Sequence, residues 1–170
     1  MEDAELLDRA QALLDLCRTK SLKVAAAESC TGGLFAATLT EIPGSSDVFE
    51  RGFVTYSNEA KQAMVGVRSA TLARHGAVSR ETAEAMASGA LAHAPVHLAV
   101  SITGIAGPGG AVPGKPVGLV HFAAASRAGR LIARQRNYGD IGRSRVRRAS
   151  VIEALAMLHD LATAEAAASD

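Results

Sequence analysis

The chain has 170 residues, 48% hydrophobic and 21% charged, which fits one globular domain (1–170) with a real core and excludes a disordered chain. Eighteen Lys and Arg against seventeen Asp and Glu leave a net charge of +1, so no global field draws the protein to nucleic acid. Every apolar stretch is broken by charge or glycine before it reaches membrane-spanning length, so no membrane partner is expected.

Leu6, Leu7, Ala10, Leu13, Leu14 and Cys17 recur at helical spacing, so the chain opens with an amphipathic helix whose acidic start is no signal peptide. The apolar run 22–27 reads as a buried strand. It ends in the polar turn Glu28-Ser29-Cys30-Thr31-Gly32-Gly33, after which 34–39 resumes helical periodicity. Pro43-Gly44-Ser45-Ser46 is a turn, and 49–56 reads as a second strand. Ser57 is the expected N-cap of a helix carrying Glu59, Lys61 and Met64. Ser69 or Thr71 starts a short helix ending near Gly76, and Ser79 caps a longer one running to about His93. Residues 96–102 form a third buried strand, followed by the glycine loop 103–110. The runs 117–125 and 131–138 are joined by a short connection and read as an antiparallel hairpin. The last helix spans about 142–162, and the alanine-rich tail after it is expected to fray. Helices alternating with strands, with a late hairpin, imply an α/β fold: a three-layer α/β/α sandwich on a mixed, mostly parallel sheet of about five strands.

Ser29 follows a buried strand and precedes a helix, where backbone N–H groups favour an anion or an oxyanion. The competing reading is that Ser29 or Thr31 only caps that helix. Cys30 is the rival nucleophile, but none of the five histidines falls in either glycine loop to activate it, so it reads as a packing residue. Lys61 is either a solvated surface charge or, if buried, a base able to lose its proton. Tyr56 either packs at a strand end or orients the lysine. Thr103, Gly104 and Gly107 form the second loop, and two loops at neighbouring strand ends favour a shared cleft over two plain turns. Arg143 and Arg147 share one helical face; they are a solvated face or a phosphate grip. No metal site is expected: His93 and His97 have helical ligand spacing, but Pro95 breaks the helix between them. Cys17 and Cys30 sit in dissimilar contexts, which argues against a disulfide and for a cytoplasmic setting.

Five ordered segments carry a resemblance. They are Ala27-Glu28-Ser29-Cys30-Thr31-Gly32-Gly33, Pro43-Gly44-Ser45-Ser46, Tyr56-Ser57-Asn58-Glu59-Ala60-Lys61, His75-Gly76-Ala77-Val78-Ser79 and Thr103-Gly104-Ile105-Ala106-Gly107-Pro108. Together they resemble the C-terminal domain family of the competence/damage-inducible protein CinA, over nearly the whole chain. The resemblance implies a three-layer α/β/α fold and hydrolysis of nicotinamide mononucleotide to nicotinate mononucleotide and ammonia, without metal or other cofactor. It also implies self-association into a homo-oligomer. It matches the family's serine–lysine pair to Ser29 and Lys61, and its tyrosine to Tyr56. The family often has Gly-Asp-Arg before the last helix, whereas this chain has Gly139-Asp140-Ile141-Gly142-Arg143, a two-residue shift.

The expected chemistry is acyl transfer: Ser29 attacks the carboxamide, Lys61 takes its proton, Tyr56 assists, and N–H groups of Thr31, Gly32 and Gly33 hold the oxyanion. Thr103, Gly104, Arg143 and Arg147 complete the substrate site, with Arg143 facing the phosphate. The alternatives are a catalytically silent nucleotide-binding or competence partner module, and a hydrolase of another small amide.

Overall fold

The computed structural model describes residues 2–169. Helix α1 (Glu2–Lys20) buries Leu6, Ala10, Leu13, Leu14 and Cys17 on one stripe. It is followed by β1 (Val24–Glu28), α2 (Leu34–Thr40), a 3-10 turn (Ser45–Asp47), β2 (Phe49–Val54), α3 (Asn58–Val65), α4 (Ser69–His75) and α5 (Arg80–Ala92). The chain ends with β3 (Leu98–Gly104), β4 (Leu119–Ser126), β5 (Leu131–Asn137) and α6 (Arg143–Ala164). The three-layer sandwich forms as expected. Its five strands are ordered β2-β1-β3-β4-β5. β1 pairs in parallel with β2 and β3, and β4 is antiparallel to β3 and β5, so β4 alone runs against the rest.

Strand alternation divides the core in two. Val24, Ala26, Val100, Ile102, Val120 and Phe122 pack with the apolar stripes of α1, α2 and α6, including Leu13, Phe35 and Leu155. On the opposite face Ala27 and Ala99 meet Val65, Met86 and Ala90, while Ala123 and Ala125 meet Ala83 and Ala87. Small residues on both sides let α5 seat close to the sheet, and Ser101 Oγ–H donates to the α5 carbonyl of Ala83 at 2.5 Å.

The register builds a polar row at one sheet end. Ala27 pairs with Phe53 on one side and Ser101 on the other. Two residues further on, and therefore on the same face, stand Thr55, Ser29 and Thr103. Main-chain bonds carry the pairing that far: Thr55 N–H to Glu28 C=O at 2.8 Å, and Ser29 N–H to Ile102 C=O at 2.9 Å. These are the C-terminal ends of three parallel strands, where open α/β sheets place their ligands.

The tail does not fray. Lys20 Nζ, at the end of α1, donates to the carbonyls of Ala162 (2.8 Å), Thr163 (3.0 Å) and Glu165 (2.7 Å). These acceptors lie at or just past the end of α6, where carbonyls lack helical partners and favour a cation. Ala168 N–H returns to Lys20 C=O at 2.8 Å, and the Glu165 carboxylate pairs with Arg130 at 2.9 Å. A residue 142 to 145 positions earlier in the chain thus holds it down.

Candidate active site

Ser29 emerges from β1 nearly buried, and Lys61 Nζ lies 3.0 Å from its Oγ. Local sequence explains the meeting. Ser57 caps α3 by accepting from Ala60 N–H at 3.0 Å, which starts the helix directly after Tyr56. Lys61 is one turn in, and helical side chains lean toward the N-terminus, so it reaches back over the sheet end. It is 1% exposed. Its Nζ also lies 2.9 Å from Thr55 C=O and 3.3 Å from Tyr56 C=O. Among the described residues no carboxylate pairs with it, and burial pushes its pKa below the ordinary 10.5. The amine donates to all three oxygens; once deprotonated it can keep its two N–H groups on the two carbonyls and turn its lone pair to the serine hydroxyl.

The turn that carries Ser29 is held by a residue not singled out in the sequence. Neither Ser29 nor Thr31 caps α2; the N-cap is Gly33, which has no side chain. Glu28, itself 1% exposed, turns its carboxylate under the turn instead, accepting from Phe35 N–H at 2.8 Å and Ala36 N–H at 3.2 Å. An acid at a strand end, a few residues before a glycine-capped helix, was the available signal. Glu28→Ala leaves two helix-start donors unpaired and is expected to lower stability by about 1–3 kcal/mol. A urea midpoint unchanged from wild type would contradict that role. Arg147 supports the same turn, donating from Nη2 to Thr31 C=O at 2.9 Å. Cys30 packs in the core beside α2, and burial pushes its thiol up to about 11.

A cleft of about 270 Å³ opens over the pair. Its walls are Ser29, Cys30, Tyr56 and Lys61, then Ala77 and Val78, then residues 103–107 with Gly109 and Gly110, and finally Arg143. Thr103 Oγ–H donates to Ala77 C=O at 2.7 Å, joining two walls. Gly104 is required by close approach: a Cβ there would lie 2.8 Å from Leu119 O. Arg143 bridges the rim, with Nη1 donating to Gly107 C=O at 2.8 Å and Nη2 to the Tyr56 hydroxyl at 2.9 Å. Tyr56 is 59% exposed, and its carbonyl rather than its phenol meets the lysine.

Of the residues singled out in the sequence, Ser29, Tyr56, Lys61, Thr103, Gly104 and Arg143 come together at this cleft. Thr31, Gly32, Gly33 and Arg147 are outside its lining and belong to the turn's support. Gly32 N–H is taken by Ser29 C=O at 3.0 Å. Ala77, Val78, Gly109 and Gly110 were not anticipated as wall residues, because only the fold brings the loop before α5 across from β3. Among the described residues no cluster of three His, Cys, Asp or Glu is placed to hold a metal ion, and no helix is long and apolar enough to cross a membrane.

Comparison with known proteins adds to this geometry. The model of the CinA C-terminal domain family matches residues 7–162. Over 159 residues the chain is 50% identical to the nicotinamide-nucleotide amidohydrolase PncC of Escherichia coli K12, covering 93% of this chain and 95% of that protein. It is 57% identical over 114 residues to a CinA-like protein of Chloroherpeton thalassium, covering 67% of this chain but only 27% of that longer protein. A relative in Caldicellulosiruptor bescii, 51% identical over 125 residues, is likewise longer, and 30% of it is matched. Among solved structures, the competence/damage inducible protein CihA from Agrobacterium tumefaciens matches with a TM-score of 0.91 at 51% identity, covering 92% of this chain and 95% of that one. A CinA superfamily protein from Escherichia coli matches at 0.87 and 32% identity, covering 92% and 90%.

Proposed function

The chain belongs to the CinA C-terminal domain family, and on that footing we propose that it hydrolyses the carboxamide of nicotinamide mononucleotide, with Ser29 as nucleophile and Lys61 as general base. The observation that carries the mechanism is the 3.0 Å approach of a buried, carboxylate-free lysine amine to the serine oxygen. In the first step Ser29 Oγ bonds to the carboxamide carbon as its proton passes to Lys61 Nζ. The C–N bond then breaks, and the lysine ammonium gives that proton to the departing nitrogen, which leaves as ammonia. Water attacks the resulting ester with Lys61 again accepting a proton; the ester C–O bond breaks and the proton returns to Ser29. The pyridinium ring withdraws electrons and makes this amide a better electrophile than an ordinary one.

Of the serine turn, only Cys30 joins Ser29 in lining the cleft, so its backbone N–H is the oxyanion donor in this mechanism. One such donor stabilises the transition state by about 3 kcal/mol. At the rim Arg143 keeps guanidinium hydrogens beyond those given to Gly107 and Tyr56, and it supplies the cation for the phosphate.

The test is ammonia release from nicotinamide mononucleotide, its dephosphorylated riboside and nicotinamide, side by side. Turnover of the mononucleotide ahead of the other two is expected. Tight binding of the mononucleotide with no ammonia over a long incubation would instead make the domain a silent nucleotide-binding module. Equal turnover of unrelated small amides would make it a broader amidase. Arg143→Ala is expected to raise KM for the mononucleotide roughly tenfold or more, the worth of one charge-assisted contact, and to leave KM for the riboside within about twofold. Equal effects on the two substrates would remove Arg143 from the phosphate.

A further inference from the structure

Helix α5 contains a glycine, Gly89, in its interior, where helix propensity favours alanine over glycine. Its backbone is ordinary helix, so no left-handed conformation requires it. Space does. A Cβ at position 89 would lie 1.8 Å from the carbonyl oxygen of Val65, 2.8 Å from its carbon and 3.0 Å from its Cβ. The main chain at the end of α3 therefore rests directly on the main chain of α5.

Helix α3 is eight residues long, and its buried residues are Lys61 and Val65. They are one turn apart and share a face. Val65 and Val67 pack with Met86 and Ala90 of α5 and with Ala27 and Ala99 of the sheet. The turn after α3 locks the lysine's own carbonyl, which accepts from Val67 N–H at 3.1 Å. One end of the inner face is thus the anchor on α5, and the other is the amine that must meet Ser29. A helix this short transmits displacement at Val65 directly to Lys61.

We propose that Gly89, outside the cleft's lining, is a positioning residue for the Ser29–Lys61 pair: its missing side chain sets the depth at which α3 seats on α5. This rests on the serine–lysine reading above. Any side chain at 89 lifts Val65 by on the order of an ångström, since the clash is with main chain that no rotamer relieves. Misplacement of that size at a reacting pair can cost about 100-fold. The lift also lets water reach Lys61 and weakens the burial that lowers its pKa.

The experiment uses the whole chain labelled with 13Cε-lysine. It contains four lysines, Lys20, Lys23, Lys61 and Lys115, and the signal lost in the Lys61→Met variant is that of Lys61. In wild type Lys61 titrates below the ordinary 10.5. In Gly89→Ala it moves toward that value, kcat near neutral pH falls at least about 30-fold with KM within about threefold, and the deficit narrows as pH rises. A loss of folded protein alone would lower the rate by the same factor at every pH. Val65→Ala loosens the same anchor without a clash and is expected to move the Lys61 curve in the same direction by less. Leu72→Ala, in α4, truncates the same apolar cluster and leaves the Lys61 curve in place.

If Gly89→Ala fails to fold, Val65→Ala against Leu72→Ala decides. An unmoved Lys61 curve in the variants at 89 and 65, or an equal shift in Leu72→Ala, overturns the proposal. The lysine titration reads position without turnover. Failure of the amidase reading appears separately, as absence of ammonia from wild type.

Discussion

Ser29→Ala is expected to abolish ammonia release from nicotinamide mononucleotide, lowering kcat by about 10³-fold or more, while Cys30→Ala is expected to stay within a few-fold of wild type. The oxygen and the sulfur that could attack belong to adjacent residues, and physical chemistry separates them. The Cys30 side chain sits in the core with α2, and its thiol is pushed up to about 11, chiefly by burial. At neutral pH roughly one molecule in ten thousand would carry the thiolate, the only reactive form. The serine needs no prior ionisation, because its proton leaves to Lys61 as the bond forms. KM should change little in Ser29→Ala, since the hydroxyl contributes to bond formation rather than to grip. Intact-mass spectra of quenched reactions give a second check: a covalent adduct carrying the acyl group of nicotinate mononucleotide, ribosyl phosphate included, on wild type and none on Ser29→Ala. Full turnover by Ser29→Ala, or its survival alongside loss in Cys30→Ala, would transfer the nucleophile's role to the thiol.

The fold was legible wherever a single period dominated. The stripe of Leu6, Leu13, Leu14 and Cys17 specifies α1, and the short apolar runs ending at Glu28 and near Thr103 specify β1 and β3. The convergence of the loops after β1 and β3 follows from parallel strands. What sequence could not supply was the direction of individual side chains within a turn. Thr31, Gly32 and Gly33 look equivalent to Ser29 and Cys30 on paper, yet the Glu28 cap and Arg147 draw them toward the helix side and away from the cleft lining. Nor does an eight-residue helix distinguish a buried lysine from a solvated one. Lys61 is inside because the fold seats α3 against α5, with Val65 resting on Gly89, a contact between positions 24 residues apart. The docked tail has the same origin: Lys20 reads as an ordinary helix-end cation until α6 is brought beside it.

Lys61→Met is expected to lose about 10²–10⁴-fold in kcat, the range for removing a general base, and to change the pH dependence of both rate and stability. Wild-type kcat/KM should fall as pH drops through the lysine's lowered pKa, because the protonated amine has no lone pair to accept from Ser29. Lys61→Arg should be inactive across that range, since guanidinium does not deprotonate in proteins. Stability carries an independent signature. Burial lowers the lysine's pKa in the folded state below the 10.5 of the unfolded chain. Between those two values the unfolded chain binds one more proton than the folded protein. Stability therefore rises with pH across that window, and below the lowered pKa the penalty for burying the ammonium is fully developed. Methionine fills similar space without titrating, so the difference between wild-type and Lys61→Met stabilities should shift in favour of wild type as pH rises toward 10.5. Urea midpoints measured in half-unit steps from neutral pH upward read that difference directly. A pH-independent difference would mean that the lysine titrates normally in the folded protein, and an ammonium at neutral pH cannot serve as the base that takes the serine proton.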